Sequence, residues 1–122
     1  MIFLARIGDT KANFKPHAVI LDITVKDHPE HILSPTWKMV LDFKNGDTTW
    51  KEYKQQYVEL LEERYKTRKG EFLALAEMAR LHPVYFRCYC PDENMCHRSL
   101  AKRAIYRLIS IKIKEEKDAV KR

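Results

Sequence analysis

Residues 84–107 read VYFRCYCPDENMCHRSLAKRAIYR. Val84–Cys90 is an apolar, aromatic run of strand composition, and Pro91 follows it. Further on, Leu100, Ala104, Leu108 and Ile111 recur at three- and four-residue steps. That spacing predicts a helix from Asn94 to about Lys114 with those four residues on its inner face. A strand handing over to a helix through a short loop is the building unit of an α/β fold. In such folds ligands bind beyond the carboxyl ends of strands, and anions bind at helix N-termini. All three cysteines, Cys88, Cys90 and Cys96, fall in this segment, and Cys96 is joined directly to His97 and Arg98.

Working outward, MIFLARI at the start reads as a short strand, followed by a polar stretch around Asp9–Lys15. HAVILDITV (His17–Val25) is a β-branched apolar run, the signature of a buried parallel strand, with Asp22 the one acid inside it. Both this run and Val84–Cys88 are expected at the centre of one sheet. Lys26–Pro35 reads as a loop. Ser34-Pro35 has the form of an N-cap followed by a first-turn proline, opening a short helix through Trp37, Val40 and Leu41 that Asn45-Gly46-Asp47 ends. Thr49 and Glu52 have capping-box spacing ahead of a stripe formed by Trp50, Tyr53, Tyr57, Leu60, Leu61 and Tyr65. Arg68–Gly70 should break that helix, with a second one from Phe72 to Leu81 closed by His82-Pro83. Strands separated by helices predict a single α/β domain over residues 1–122, built in two or three layers around a short, mainly parallel, Rossmann-like central sheet.

A chain of 122 residues buries about two thirds of its unfolded surface, enough for one core. Its 45% hydrophobic and 33% charged residues are those of a soluble globular protein, and no apolar run approaches the ~20 residues that span a bilayer. The segment MIFLARI is too short for a secretory signal, so a cytoplasmic protein with no membrane partner and with reduced thiols is expected. The net charge of +6 permits attraction to nucleic acid or to another anionic ligand. A charged tail over about residues 112–122 explains much of that excess: from Arg107 onward there are six Lys/Arg against three acids. Those basic residues also define a second reading, a non-catalytic adaptor that binds nucleic acid or protein.

The thiols admit several chemistries. Cys88, Cys90, Cys96 and His97 have the donor inventory of a structural zinc site. The C-x-C step and the adjacency of Cys96 and His97 argue against tetrahedral spacing, so no metal or other cofactor is expected, and zinc should be below one per chain. A phosphatase-type loop needs an arginine six positions after its cysteine. The sixth positions here are Asn94, Cys96 and Lys102, so that loop is absent. A thiolate near a helix N-terminus remains. On this reading Cys96 and His97 carry catalysis with Asp22 in support, and Arg98 and Ser99 bind an anion. Cys88 and Cys90 are core residues supporting the site. The alternative role for Arg98 is an ion pair with Asp22, Asp92 or Glu93, and the stripe Trp50–Tyr53–Tyr57 suits a core better than a base-stacking platform.

The strand ending in Asp22, the segment SPTWKMVLDFKNGDTTWKEYKQQYVELL (Ser34–Leu61) and above all CYCPDENMCHRSLAKRAI (Cys88–Ile105) resemble the family called domain of unknown function 488. Its members typically pair a strand ending in Asp with a later C-x-C-x(5)-C-H-R or decayed equivalents of it. The resemblance covers about Val19 to Leu108 and implies an α/β fold without specifying a reaction. Many relatives carry Asp-x-Arg at the strand end, where this chain has Asp22-Ile23-Thr24. If that arginine binds a ligand in relatives, another cation must serve here.

Overall fold

The computed structural model describes residues 1–8, 14–90 and 95–120. The described elements are β1 (Ile2–Arg6), β2 (Val19–Asp22), α1 (Trp37–Lys44), α2 (Trp50–Leu81), β3 (Val84–Cys88) and α3 (His97–Val120). The strands form one parallel sheet in the order β1-β3-β2. The fold is thus the small α/β domain with a parallel sheet that the alternation of strands and helices predicts.

Val84, Tyr85 and Phe86 are buried, as a strand flanked on both sides requires. Val19–Asp22 sits on the sheet edge instead of its centre, and all four of its residues are only half-buried. The reason is strand order: β3 receives both other strands, Ile2 pairing with Val84 and Val19 with the same residue from the other side.

The caps are local and follow the sequence closely at α2. Thr49 accepts from the Glu52 amide while Glu52 reaches back to the Thr49 amide. At α1 the cap is Thr36, whose Oγ1 accepts from the Met39 amide at 3.2 Å. Ser34, predicted to be that cap, is fully buried and donates to the His28 carbonyl at 2.6 Å, so Pro35 precedes the helix. The expected break at Arg68–Gly70 is a kink within one long helix: Arg68 alone leaves helical dihedrals (φ −126°, ψ 33°). Its guanidinium donates to the Glu30 carbonyl at 3.0 Å and pairs with Glu71, which fastens the bend to the loop before α1.

The core joins Ile2, Val84 and Phe86 of the sheet to Phe72, Leu75, Ala76 and Ala79 of α2 and to Leu100, Ala101, Ile105 and Ile109 of α3. The inner face of α3 is therefore turned by about one position from the stripe Leu100, Ala104, Leu108 and Ile111. Ile111 is 47% exposed, while His97 and Arg98 are 4% and 1% exposed. These two polar residues take inward positions because they have buried partners, described below, and their inward turn sets the rotation of the helix. The charged run from Lys112 continues α3 to Val120. It is tied to α2 through Lys112–Glu77 at 3.0 Å and Arg80–Glu116 at 3.1 Å. Among the described residues, no helix is long and apolar enough to cross a membrane.

Candidate functional site

Side chains alternate along a strand, so β3 presents Val84, Phe86 and Cys88 to the core and Tyr85 and Arg87 to the other face. Cys88 is its last residue and stands at the carboxyl end of the central strand. Cys90 follows just past the strand, its Sγ 3.8 Å from that of Cys88. Cys96 arrives from the start of α3, and its Sγ lies 3.5 Å from Nδ1 of His97. One donor atom each from Cys88, Cys96 and His97 fits within 4.8 Å of the other two. Two thiols and an imidazole thus meet at one point, with the Cys90 thiol beside Cys88 at its edge. All three cysteines are free.

The imidazole is held from behind. Its Nε2 lies 2.5 Å from the carbonyl oxygen of Ile23, the residue that follows β2. A carbonyl only accepts, so Nε2 carries the proton and Nδ1 presents a lone pair to the Cys96 sulfur. Burial holds the His97 pKa below its ordinary value and keeps the ring neutral. Tyr57 packs edge-on to the ring at 5.7 Å, and its hydroxyl donates to the Leu33 carbonyl.

The sulfurs titrate as a group. Contacts from Cys90 and Cys96 draw the Cys88 thiol far below the usual range against the opposing effect of burial, and His97 adds to the effect. The neighbouring Cys88 sulfur raises Cys90. Cys88, then Cys90, then burial push Cys96 up. Position at the helix start pointed to Cys96 as the acidic thiol. At 2% exposed and beside the Cys88 and Cys90 sulfurs, Cys96 is instead shifted upward, while Cys88 is shifted downward.

Asp22 does not join this cluster. Its register partner is Arg87, on the face of the sheet away from Cys88. The two side chains form a bidentate pair at 2.6 and 2.9 Å. The group that orients His97 is the backbone carbonyl one residue further on. Arg98 likewise does not pair with Asp22. Its guanidinium is buried and donates to the carbonyls of Ala5 and, at 2.7 Å, Cys90, while Nε has no partner among the described residues. It ties the end of β1 to the turn after β3. Ser99 donates to the Cys96 carbonyl at 3.0 Å. Asp92, Glu93 and the Asn94 helix start lie outside the described residues.

Above the sulfurs opens a cavity of about 440 Å³ whose lining includes Cys88, Cys90, Cys96 and His97. Its walls carry Trp37, Phe43, Trp50, Tyr53, Tyr89 and Met95, with Lys26 and Lys44 as cations. Trp37 is 48% exposed, a large ring held at the surface of the cavity. Trp50 stacks on Tyr53 at 5.3 Å, and Tyr53 on Tyr57 at 6.5 Å, a column running to His97. The stripe read as core is core at Tyr53 and Tyr57, and its Trp50 end also faces the cavity. Sequence reasoning did not pick out this wall, nor Arg64, whose guanidinium donates to the Ile32 and Ser34 carbonyls at 2.8 and 2.5 Å and holds the loop before α1. Nothing in either's local pattern marks it, because their partners are long-range or backbone groups.

A parallel α/β domain with a thiol and imidazole cluster at the carboxyl end of its central strand is the class of protein that fold and site define together. The chain belongs to the DUF488-N3a family, described as the active DUF488-N3 subclade, whose family model matches residues 6–107. The match takes in all three cysteines, His97 and Arg98. No curated protein and no solved structure matches the chain.

Proposed function

We propose that this domain is a thiol-dependent enzyme acting on a nucleotide or on a base of a nucleic acid, with Cys88 as its nucleophile. The observation that carries this reading is the convergence of the Cys88 and Cys96 thiols and a neutral imidazole, with Cys90 alongside, on the floor of an aromatic-walled cavity at the carboxyl end of β3. A planar base suits walls of Trp37, Trp50 and Phe43. A phosphate suits Lys26 and Lys44, since the Arg98 guanidinium is already engaged by two carbonyls. In the reaction the Cys88 sulfur adds its electron pair to an unsaturated ring carbon of the base, the π pair of that C=N bond moves onto the ring nitrogen, and the nitrogen takes up the thiol proton by way of Nδ1 of His97. Cys90 and Cys96 stabilise the thiolate, and Nδ1 of His97 accepts a proton. Arg98 acts on the frame, fixing the Cys90 carbonyl and with it the turn that carries the thiols. The description of the family as an active subclade agrees with a working rather than a decayed site.

The test combines tryptophan fluorescence with thiol labelling. Adenosine monophosphate and a short single-stranded oligonucleotide are titrated into the reduced protein. The expected result is quenching of the Trp37 and Trp50 emission and slower alkylation of Cys88 by iodoacetamide. If neither probe changes the fluorescence or the Cys88 labelling rate, the nucleotide reading fails.

A further inference from the structure

We infer that Cys88, Cys90, Cys96 and His97 form a binding site for a soft d10 metal ion of the Zn2+ type, and that occupancy of this site silences the thiol chemistry. The inference rests on the same cluster as the proposed function and adds its regulation.

The geometry carries it. A tetrahedral Zn2+ with Zn–S of about 2.3 Å and Zn–N of about 2.0–2.1 Å separates two sulfur ligands by about 3.8 Å and a sulfur from a nitrogen by about 3.5 Å. The Cys88 and Cys90 sulfurs are 3.8 Å apart, and the Cys96 sulfur is 3.5 Å from Nδ1 of His97. Two opposite edges of the tetrahedron therefore already have their bound lengths. One donor from each of Cys88, Cys96 and His97 lies within 4.8 Å of the others, and Cys90 reaches this trio through its 3.8 Å contact with the Cys88 sulfur, so the fourth ligand closes by a turn of the Cys90 side chain toward the ion. The adjacency of Cys96 and His97, which looks unfavourable in sequence, is accommodated because the two side chains reach the same point.

The second observation is the hydrogen bond behind the imidazole. Metal-bound histidines donate their other ring N–H to a carbonyl or carboxylate, which fixes the tautomer and directs the free nitrogen at the ion. The Nε2–H of His97 donates to the Ile23 carbonyl at 2.5 Å and leaves Nδ1 aimed at the Cys96 sulfur. Three sulfurs and one imidazole are a soft donor set that selects Zn2+ over Mg2+ or Ca2+. The cavity that opens onto these four residues supplies an entry path. On binding, the thiols release their protons to solvent, and the Cys88 electron pair used for attack becomes a metal–sulfur bond.

The experiment is a Co2+ titration of the full, reduced, metal-free chain, followed by displacement with Zn2+. The expected result is one Co2+ per chain, with thiolate-to-metal charge-transfer bands and the visible bands of a tetrahedral site, both bleached by Zn2+. Alkylation of Cys88 by iodoacetamide should fall at least tenfold in the Zn2+ form and recover with a chelator. Cys90→Ser, at the half-buried position, should weaken Co2+ at least tenfold with an unchanged circular dichroism spectrum. Absence of the charge-transfer bands overturns the inference, as does a Co2+ spectrum that Cys90→Ser leaves unaltered. The two readings separate cleanly. If Co2+ fails while the metal-free Cys88 still reacts, the metal site falls and the thiol enzyme stands. If Co2+ binds while the metal-free thiols are inert, the reverse holds.

Discussion

The Nε2–H of His97 donates to the backbone carbonyl of Ile23 at 2.5 Å, joining the first turn of α3 to the end of the edge strand β2. This one bond decides the tautomer of the imidazole and points Nδ1 into the sulfur cluster. Because the acceptor is a main-chain oxygen, changing the side chain at position 23 should not remove it, whereas changing His97 should. His97→Phe keeps a ring beside Tyr57 and loses the bond. It should destabilise the fold by about 1–3 kcal/mol, the cost of leaving a buried carbonyl unpaired. Urea unfolding followed by circular dichroism measures this.

Arg98 bridges Ala5 and Cys90 from inside the protein. Arg98→Lys cannot reproduce the fork that reaches two carbonyls at once, and should cost about 2–4 kcal/mol. Labelling of Cys90 should accelerate as the turn loosens. Equilibrium unfolding and mass-resolved alkylation read the two effects, and an Arg98→Lys protein as stable as the parent would contradict the bridging role.

Asp22 and Arg87 pair across β2 and β3 with side chains 25% and 16% exposed. Asp22→Asn should cost about 1–2 kcal/mol and leave Cys88 reactivity unchanged, because the pair lies on the opposite face of the sheet. A change in Cys88 labelling without a change in stability would restore Asp22 to the site.

The part of this arrangement that is legible in the sequence is the part with local causes. Thr49 and Glu52 satisfy each other within one turn, so their spacing suffices to place the start of α2. The apolar run of β3 marks a buried strand for the same reason. The strand order is set by β3 pairing with partners 65 and 82 positions away in register, and HAVILDITV alone does not distinguish an edge from a centre. The C-x-C step and the Cys96-His97 step each look wrong for a shared centre when counted along the chain. The fold nonetheless brings Cys88, Cys96 and His97 within 4.8 Å of one another and Cys90 to 3.8 Å from Cys88. The carbonyl of Ile23 has no side-chain signature at all, and the side chain of Asp22 beside it pairs with Arg87 on the other face of the sheet.

His31 gives a pH dependence. Burial, with help from the nearby His28, Arg68 and Arg64 charges, holds its pKa below 6.5, and its Nδ1 accepts from the Leu33 amide at 3.0 Å. The folded state thus binds its proton less tightly than the unfolded state. The contribution is fully present above pH 6.5 and is lost as pH falls toward the depressed folded value. The urea midpoint should drop between pH 7.5 and pH 5.5, both conditions chosen to bracket the ordinary histidine range of about 6.5. His31→Gln should reduce that drop, the remainder coming from the buried His97. An equal drop in the variant would assign the effect to other groups.

Trp37 lines the cavity while half-exposed. Trp37→Ala should change stability by about 0.5 kcal/mol or less, the range for a surface position. It should weaken adenosine monophosphate by about 1–3 kcal/mol, the value of one base–aromatic stack. Isothermal titration calorimetry on the two proteins separates these outcomes.

The most direct test of the central claim, that Cys88 is the working thiol of a converged cluster, is mass-resolved alkylation of the reduced, metal-free native protein at neutral pH. The account predicts that iodoacetamide modifies Cys88 first and that Cys88→Ser removes the fast phase, although Cys90 is the more exposed residue. Modification of Cys90 or Cys96 ahead of Cys88, or a fast phase that persists in Cys88→Ser, would contradict it.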